Sequence, residues 1–132
     1  MSRLLLDTTF LIDAERSDAE LDQQINDDDD VAIAAVTVAE LTVRVRLAPT
    51  RHRRARQAYV DEVIETIPVL AYDGPVALEH ADLLVAVRRS GRPRGAHDLL
   101  VAATARASGR TVLSADRSAF DDLPGVIAID HR

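Results

Sequence analysis

The sequence predicts an α/β fold: a three-layer sandwich in which helices cover both faces of a central, mostly parallel sheet of about five short strands. Short apolar runs alternate along the chain with segments of helical periodicity, as in successive strand–helix–strand units. The stretch LLVAATARA at 99–107 is nearly all apolar, so a helix there is expected to be largely buried. No repeat and no linker rich in Pro, Gly or Ser divides the chain, which favours a single domain over residues 1–132.

The elements can be assigned in chain order from periodicity and from residues that end helices. In that order we expect a strand at 3–6, a helix from Thr8 or Thr9, a strand at 31–36, a helix from Thr37 to about Leu47, a helix at 59–67, a strand at 68–72, a helix from Asp73 to Gly91, a helix from Asp98 to Gly109, and strands at 111–114 and 126–129. Pro49 closes the second helix, because proline disfavours helical backbone in the residue before it.

The later helices have clearer signals. In the third, apolar residues recur one and four positions apart, while Asp61, Glu62 and Glu65 are expected to face water. Asp73 is a typical helix N-cap, and the glycines at 91 and 109 are typical of helix C-termini.

Composition narrows the class of protein. The 132 residues include no cysteine, which excludes disulfides and thiolate metal sites, so any metal must be held by oxygen or imidazole ligands. The chain has no apolar run long enough to cross a bilayer and no long apolar stretch at its N-terminus, so we expect a cytoplasmic protein with no membrane contact.

The charge pattern leaves two interpretations open. The net charge is −6, yet all 16 basic residues are arginines. They concentrate in two stretches, Arg44, Arg46, Arg51, Arg53, Arg54 and Arg56, and then Arg88, Arg89, Arg92 and Arg94. Because guanidinium groups suit phosphate oxygens, these stretches could form a nucleic-acid track on an acidic body. They could equally be solvated helix faces.

Carboxylates follow the apolar runs at positions where parallel sheets bind ligands. Asp7 directly follows the first strand and Asp116 lies two residues past the fourth, while Glu40 and Asp98 lie near helix starts. Carboxylates brought together repel one another unless a cation or a shared proton neutralises them, and Mg²⁺ and Mn²⁺ prefer such oxygen ligands.

Each carboxylate also has a purely structural interpretation. Thr37-x-x-Glu40 fits a capping box, and Asp98 and Asp116 could be plain N-caps. Asp73 also follows a strand and is an equal candidate on spacing alone. Asp7 is the hardest to explain structurally, because a charge at the end of an apolar strand is costly if buried without partners.

Four segments together resemble the PIN-domain nucleases, and in particular the VapC-type toxins of bacterial toxin–antitoxin pairs. They are LLLDTTFLID at 4–13, VTVAEL at 36–41, HDLLVAATA at 97–105 and TVLSADRSAFDDLPGV at 111–126. They occur in the family's order and span almost the whole chain. The resemblance implies that the catalytic, metal-binding set is Asp7, Glu40, Asp98 and Asp116, and it leaves Asp73 as a helix cap.

The resemblance also implies supporting residues and partners. Thr9 and Ser114 would help orient the metal shell, and His97, where the family often has a small residue or proline, would be a surface or RNA-contact variation. The arginine stretches separately predict RNA contact by Arg92 and Arg94. The family's activity is Mg²⁺- or Mn²⁺-dependent cleavage of RNA, often transfer or ribosomal RNA. The family further implies a homodimer, a cognate VapB-like antitoxin, and contact with DNA only through that antitoxin.

Three other functions are compatible with aspartates that follow parallel strands. Receiver domains and haloacid-dehalogenase-type phosphatases also place aspartates after parallel strands, but both normally use a lysine, which this chain lacks. A catalytically silent PIN-fold interaction module, in which the carboxylates only cap helices, is the remaining alternative.

Overall fold

The computed structural model describes residues 1–17 and 25–130. The chain alternates strands and helices in the order expected for an α/β protein. The elements are β1 Arg3–Leu6, α1 Thr8–Ser17, β2 Asp30–Ala34, α2 Ala35–Arg46, α3 Thr50–Thr66, β3 Val69–Leu70, α4 Gly74–Ser90, α5 Ala96–Ser108, β4 Thr111–Ser114, a 3-10 turn Arg117–Phe120, and β5 Ala128–Asp130.

The five strands form one sheet in the order β3-β2-β1-β4-β5, and all four pairings are parallel. The chain therefore starts in the middle of the sheet, builds outward to β3, and then returns to place β4 on the other side of β1. The strand order reverses between β1 and β4, and open parallel sheets bind ligands beyond the carboxyl ends of the strands at such a point. Asp7 follows β1 and Asp116 follows β4, so both lie at the reversal.

The sheet is covered on both faces, which gives the predicted three layers. Alternating residues of β1 point to opposite sides: Leu4 and Leu6 pack with α1, α2 and α3, whereas Leu5 packs with α4 and α5. The α5 helix is buried along most of its length, as its apolar sequence predicts. The α/β sandwich with a parallel five-stranded sheet is thus confirmed.

Several element boundaries differ from the sequence-based predictions. The second helix begins at Ala35, because β2 stops at Ala34, its last pairing with β3. Thr37 therefore lies inside the helix as a buried residue, and the capping-box interpretation of Thr37-x-x-Glu40 is wrong. The fifth helix begins at Ala96 with Gly95 as its N-cap, so Asp98 is not the cap either.

Three further predictions need correction. The amphipathic segment at 59–67 is the second half of a longer helix that already begins at Thr50. The third strand covers only residues 69–70. The last strand begins at Ala128 rather than at 126, because the Val126 amide is used by a turn and bonds to the Leu123 carbonyl oxygen at 3.2 Å.

Among the helices described, none is both long enough and apolar enough to cross a membrane. The predicted single domain over 1–132 includes residues 18–24 and 131–132, which lie outside the described residues.

A pair of leucine substitutions tests the central position of β1. Leu5 is 0% exposed in the middle strand, whereas Leu47 at the end of α2 is 80% exposed. We expect Leu5→Ala to lower the free energy of unfolding by about 3 kcal/mol through lost burial and a residual cavity. Leu47→Ala should change it by less than about 0.5 kcal/mol. Urea unfolding of both variants measures the difference, and equal losses would contradict the assigned core.

Candidate metal centre

Asp7 is a buried carboxylate held by a set of hydrogen-bond donors. It is only 4% exposed. The Thr9 hydroxyl (2.7 Å) and the Phe10 amide (2.9 Å) donate to its Oδ1, and the Ser114 hydroxyl donates to its Oδ2 at 2.5 Å. The parallel register produces the last contact, because Leu6 pairs with Leu113 and the next residues along the two chains are Asp7 and Ser114.

These hydrogen bonds leave a lone-pair site of the Asp7 carboxylate available for a cation. Each carboxylate oxygen has about two lone-pair sites, so two donors fill Oδ1 while Oδ2 accepts only one. Burial raises the pKa of Asp7 above its ordinary value of 3.8, and the three hydrogen bonds, from Ser114, Phe10 and Thr9 in that order, oppose the rise. The nearby Glu40 charge raises the pKa of Asp7 further. Oδ2 of Asp7 is therefore the oxygen most suited to receive a cation.

The two hydroxyls that hold Asp7 also bind the segment that carries Asp116. The oxygens of Thr9 and Ser114 lie 3.2 Å apart. The Ala115 amide donates to Thr9 Oγ1 at 3.1 Å, and the Asp116 amide donates to Ser114 Oγ at 2.9 Å. Both predicted supporting residues thus lie between the first and last carboxylates of the set.

Glu40 lies in the second turn of α2 and has a partner for each carboxylate oxygen. The Thr8 hydroxyl donates to Oε1 at 2.7 Å, and Nδ1 of His97 lies 3.2 Å from Oε2. Sequence reasoning missed Thr8 and treated His97 as a surface or RNA-contact residue. No spacing rule reveals either contact, because they join residues 32 and 57 positions apart across three helices.

Asp98 lies in the first turn of α5, and its carboxylate turns back toward the helix N-terminus. A Cβ atom at Gly95 would lie 2.8 Å from its Oδ2, so that position must be glycine for Asp98 to keep this orientation. Burial raises the pKa of Asp98, and the charges of Glu40, Asp7 and Asp116 raise it further, in that order. The His97 imidazole lowers it slightly.

The charges of Glu40, Asp7 and Asp116 thus all act on Asp98, but the four predicted carboxylates do not form a close cluster. Within residues 1–17 and 25–130, no three His, Asp or Glu side chains are grouped closely enough to hold one ion. Asp116 is exposed and accepts a hydrogen bond from the Ser118 hydroxyl at 2.6 Å. Hard oxygen donors that repel one another are the kind of ligand set that a divalent cation prefers.

The other sequence candidates lie in structural contacts. Asp73 caps α4 by accepting from the Val76 amide at 3.1 Å, as the resemblance implied. Arg92 pairs with Asp122 at 2.9 Å. Arg94 donates to the carbonyl oxygens of Ala119 (3.2 Å) and Asp121, so it ties the loop before α5 to the turn that follows Asp116.

Comparison with known proteins identifies the family of this chain. A family model described as PIN domain matches residues 4–126. The chain is 32% identical over 126 residues to Ribonuclease VapC5 of Mycobacterium tuberculosis, an alignment that covers 96% of this chain and 91% of that protein. The chain is a PIN-domain protein of the VapC group.

Two further relatives extend this result. The tRNA(fMet)-specific endonuclease VapC of Salmonella typhimurium is 29% identical over 98 residues, covering 73% of this PIN domain and 71% of that protein. The crystal structure of VapBC-5, a toxin–antitoxin complex from Mycobacterium tuberculosis, contains a chain that superposes with a TM-score of 0.80 at 32% identity, covering 98% of this chain and 99% of that one. The family predicted from the four segments is confirmed.

The raised pKa values predict how stability depends on pH without metal. Because folding raises the pKa of Asp7 and Asp98 above 3.8, the folded PIN domain binds protons more tightly than the unfolded chain does. The free energy of unfolding must then fall as pH rises through the interval between the unfolded and folded pKa values. Asp7 is more deeply buried than Asp98, and Asp7→Asn removes the cost of burying its charge. We therefore expect this variant in EDTA to be more stable than the wild type at neutral pH.

Thermal unfolding across pH measures this effect. The advantage of Asp7→Asn should shrink as the pH falls through the interval between the folded and unfolded pKa values of Asp7, because the wild-type carboxyl then becomes protonated. Asp61→Asn, at an exposed position on α3, is the control and should show no pH-dependent gain. An Asp7→Asn variant that is less stable than the wild type at neutral pH would contradict the assigned burial cost.

Proposed function

We propose that this PIN domain is a Mg²⁺- or Mn²⁺-dependent endoribonuclease that acts in the cytoplasm as the toxin of a toxin–antitoxin pair. The observation that carries the proposal is the buried Asp7 carboxylate, which hydrogen bonds hold at the strand reversal. Besides burial, the Glu40 charge raises the pKa of Asp7, and the charges of Glu40, Asp7 and Asp116 raise the pKa of Asp98. The names of the relatives, Ribonuclease VapC5 and tRNA(fMet)-specific endonuclease VapC, support RNA as the substrate.

In the proposed mechanism the chain contributes negative charge at fixed positions. Asp7 and Asp116 would hold the metal directly, and Glu40 and Asp98 would complete its shell, directly or through water. The chemistry supplied by a divalent ion at such a site is polarisation of the scissile phosphate and activation of water for attack. Thr9 and Ser114 keep the Asp7 carboxylate oriented, so that no side-chain rearrangement is required of this residue.

The carboxylates also explain why the unloaded site should repel RNA. A phosphodiester is an anion, and four carboxylates in one region disfavour its approach unless cations offset their charge. A metal requirement therefore follows for substrate binding as well as for chemistry. No lysine is needed as a general base, in keeping with a chain that has none.

A cleavage assay tests the proposed activity. We expect the wild type to cut transfer or ribosomal RNA with Mg²⁺ or Mn²⁺ and to lose this activity in EDTA. Asp7→Asn should reduce the rate by at least about 100-fold, as expected for loss of a metal ligand that stabilises transition-state charge. Gel analysis of end-labelled RNA gives both the rate and the cleavage position.

Each other outcome of the assay has a definite meaning. Cleavage that persists in EDTA, or that is unchanged in Asp7→Asn, would disprove the proposed metal centre. A wild type that cuts no RNA in a broad panel would favour the silent interaction module instead.

We further propose a VapB-like antitoxin and a homodimer, with DNA contacted only through the antitoxin. The acidic centre suits an antitoxin arginine, because a planar guanidinium can donate hydrogen bonds to two carboxylate oxygens in place of a metal ion. The toxin–antitoxin complex from Mycobacterium tuberculosis supports a partner of this class.

RNA contact by Arg92 can be tested through salt dependence. Arg92 is exposed, and its Asp122 partner is a surface pair of low energy that a phosphate can replace. We expect Arg92→Ala to reduce the slope of log affinity against log salt concentration by about one unit. Binding is measured with the inactive Asp7→Asn background, so that the RNA stays intact.

Two variants make this measurement specific. Arg3→Ala is the matched control, because Arg3 is an exposed, paired arginine at the start of β1, away from the carboxylates. Its slope should equal that of the parent. Arg94→Ala should lower thermal stability as well as binding, because this side chain holds two backbone carbonyl groups. An unchanged slope for Arg92→Ala would show that Arg92 does not contact an RNA phosphate.

A further inference from the structure

We infer that Thr8 and His97 are positioning residues that fix the Glu40 carboxylate for metal binding, an inference that rests on the proposed function. Thr8 Oγ1 donates to Oε1 of Glu40 at 2.7 Å, and Nδ1 of His97 lies 3.2 Å from Oε2. Glu40 thus has one partner on each oxygen, and each oxygen keeps a lone-pair site for a cation.

The two partners of Glu40 are sequence neighbours of two other carboxylates of the site. Thr8 directly follows Asp7, and His97 directly precedes Asp98. The side chain of Glu40 therefore contacts Thr8, the neighbour of Asp7, through one oxygen, and His97, the neighbour of Asp98, through the other. Three carboxylates carried by three different helices or strand ends are in this way linked through two side-chain contacts.

Glu40 needs such support more than the other carboxylates do. A glutamate side chain has three rotatable bonds, and ordering a long side chain costs conformational entropy. Asp7 is held by burial and Asp98 is partly buried in the first turn of its helix, whereas Glu40 projects from the second turn of α2. Partners that orient a metal ligand typically change metal affinity or activity 10- to 100-fold when they are removed.

Mn²⁺ binding to the whole protein without RNA, measured by calorimetry, tests this inference independently of catalysis. Thr8→Val keeps the shape of the side chain but removes its hydroxyl, and we expect it to weaken Mn²⁺ binding about tenfold. Thr8→Ser restores the donor and should bind Mn²⁺ like the wild type. His97→Ala should weaken binding less, since His97 is more exposed, and His97→Asn should recover part of the loss.

A double-mutant cycle shows whether Thr8 acts through Glu40. In a Glu40→Ala background, Thr8→Val should cause no further loss of affinity, because no carboxylate remains to be positioned. Thr42→Val is the matched control: Thr42 is another partly buried threonine, on the same helix as Glu40, and its hydroxyl donates to the Val38 carbonyl oxygen at 2.7 Å. It should bind Mn²⁺ like the wild type.

The possible outcomes separate this inference from the proposed function. Normal Mn²⁺ binding by Thr8→Val, or an equal loss in the Glu40→Ala background, would overturn the inference and leave the proposed function intact. A wild type that takes up no Mn²⁺ would overturn both. If Thr8→Val does not fold, as judged by thermal unfolding without metal, the His97→Ala and His97→Asn pair decides the question in the same cycle.

Discussion

The buried carboxylate of Asp7 is the constraint on which the rest of the site depends. A charge at the end of a fully apolar central strand would cost several kcal/mol if it were left unpaired, about the whole stability of a small domain. The fold offsets part of this cost with two hydroxyls and one backbone amide, and the raised pKa of Asp7 reflects the part that remains. Two of these donors, Thr9 and Ser114, come from opposite sides of the strand reversal. The carboxylate can therefore be satisfied only when β1 and β4 are correctly paired.

The remaining carboxylates add a cost that the protein offsets only in part, through contacts such as those of Thr8 and His97 with Glu40. The pKa of Asp98 is raised by the charges of Glu40, Asp7 and Asp116 as well as by burial. Repulsion of this kind lowers the stability of the unloaded protein, and a bound cation would convert it into attraction. The same charges thus destabilise the metal-free fold and, in the proposed function, would supply the affinity for metal, which is a common exchange of stability for function.

Much of the fold could be predicted from the sequence because its signals are local. Apolar runs followed by acidic residues located the strands, and Asp73 and Gly91 marked the ends of α4 correctly. The starts of α2 and α5 were placed two residues too late, because Thr37 and Asp98 look like caps although Ala34 and Gly95 occupy those positions. Local patterns identify a residue suited to capping, but tertiary pairing decides where a strand stops and a helix can begin.

The parts of the site that escaped prediction are long-range contacts. Spacing selected Asp7, but it could not show that Thr8 reaches a helix 32 residues away, or that Arg94 holds two carbonyl groups of the turn behind Asp116.

The same holds for the arginine stretches, which looked uniform in sequence. Arg44 pairs with Glu15 at 2.5 Å, and Arg94 is bound to backbone. Because several arginines are occupied within the chain, the basic surface available to RNA is smaller than the sequence suggests. With a net charge of −6, such a surface cannot by itself attract a polyanion to an acidic centre. In the proposed function the divalent cation would therefore have two roles: it would complete the catalytic charge pattern, and it would make the centre approachable for the phosphate.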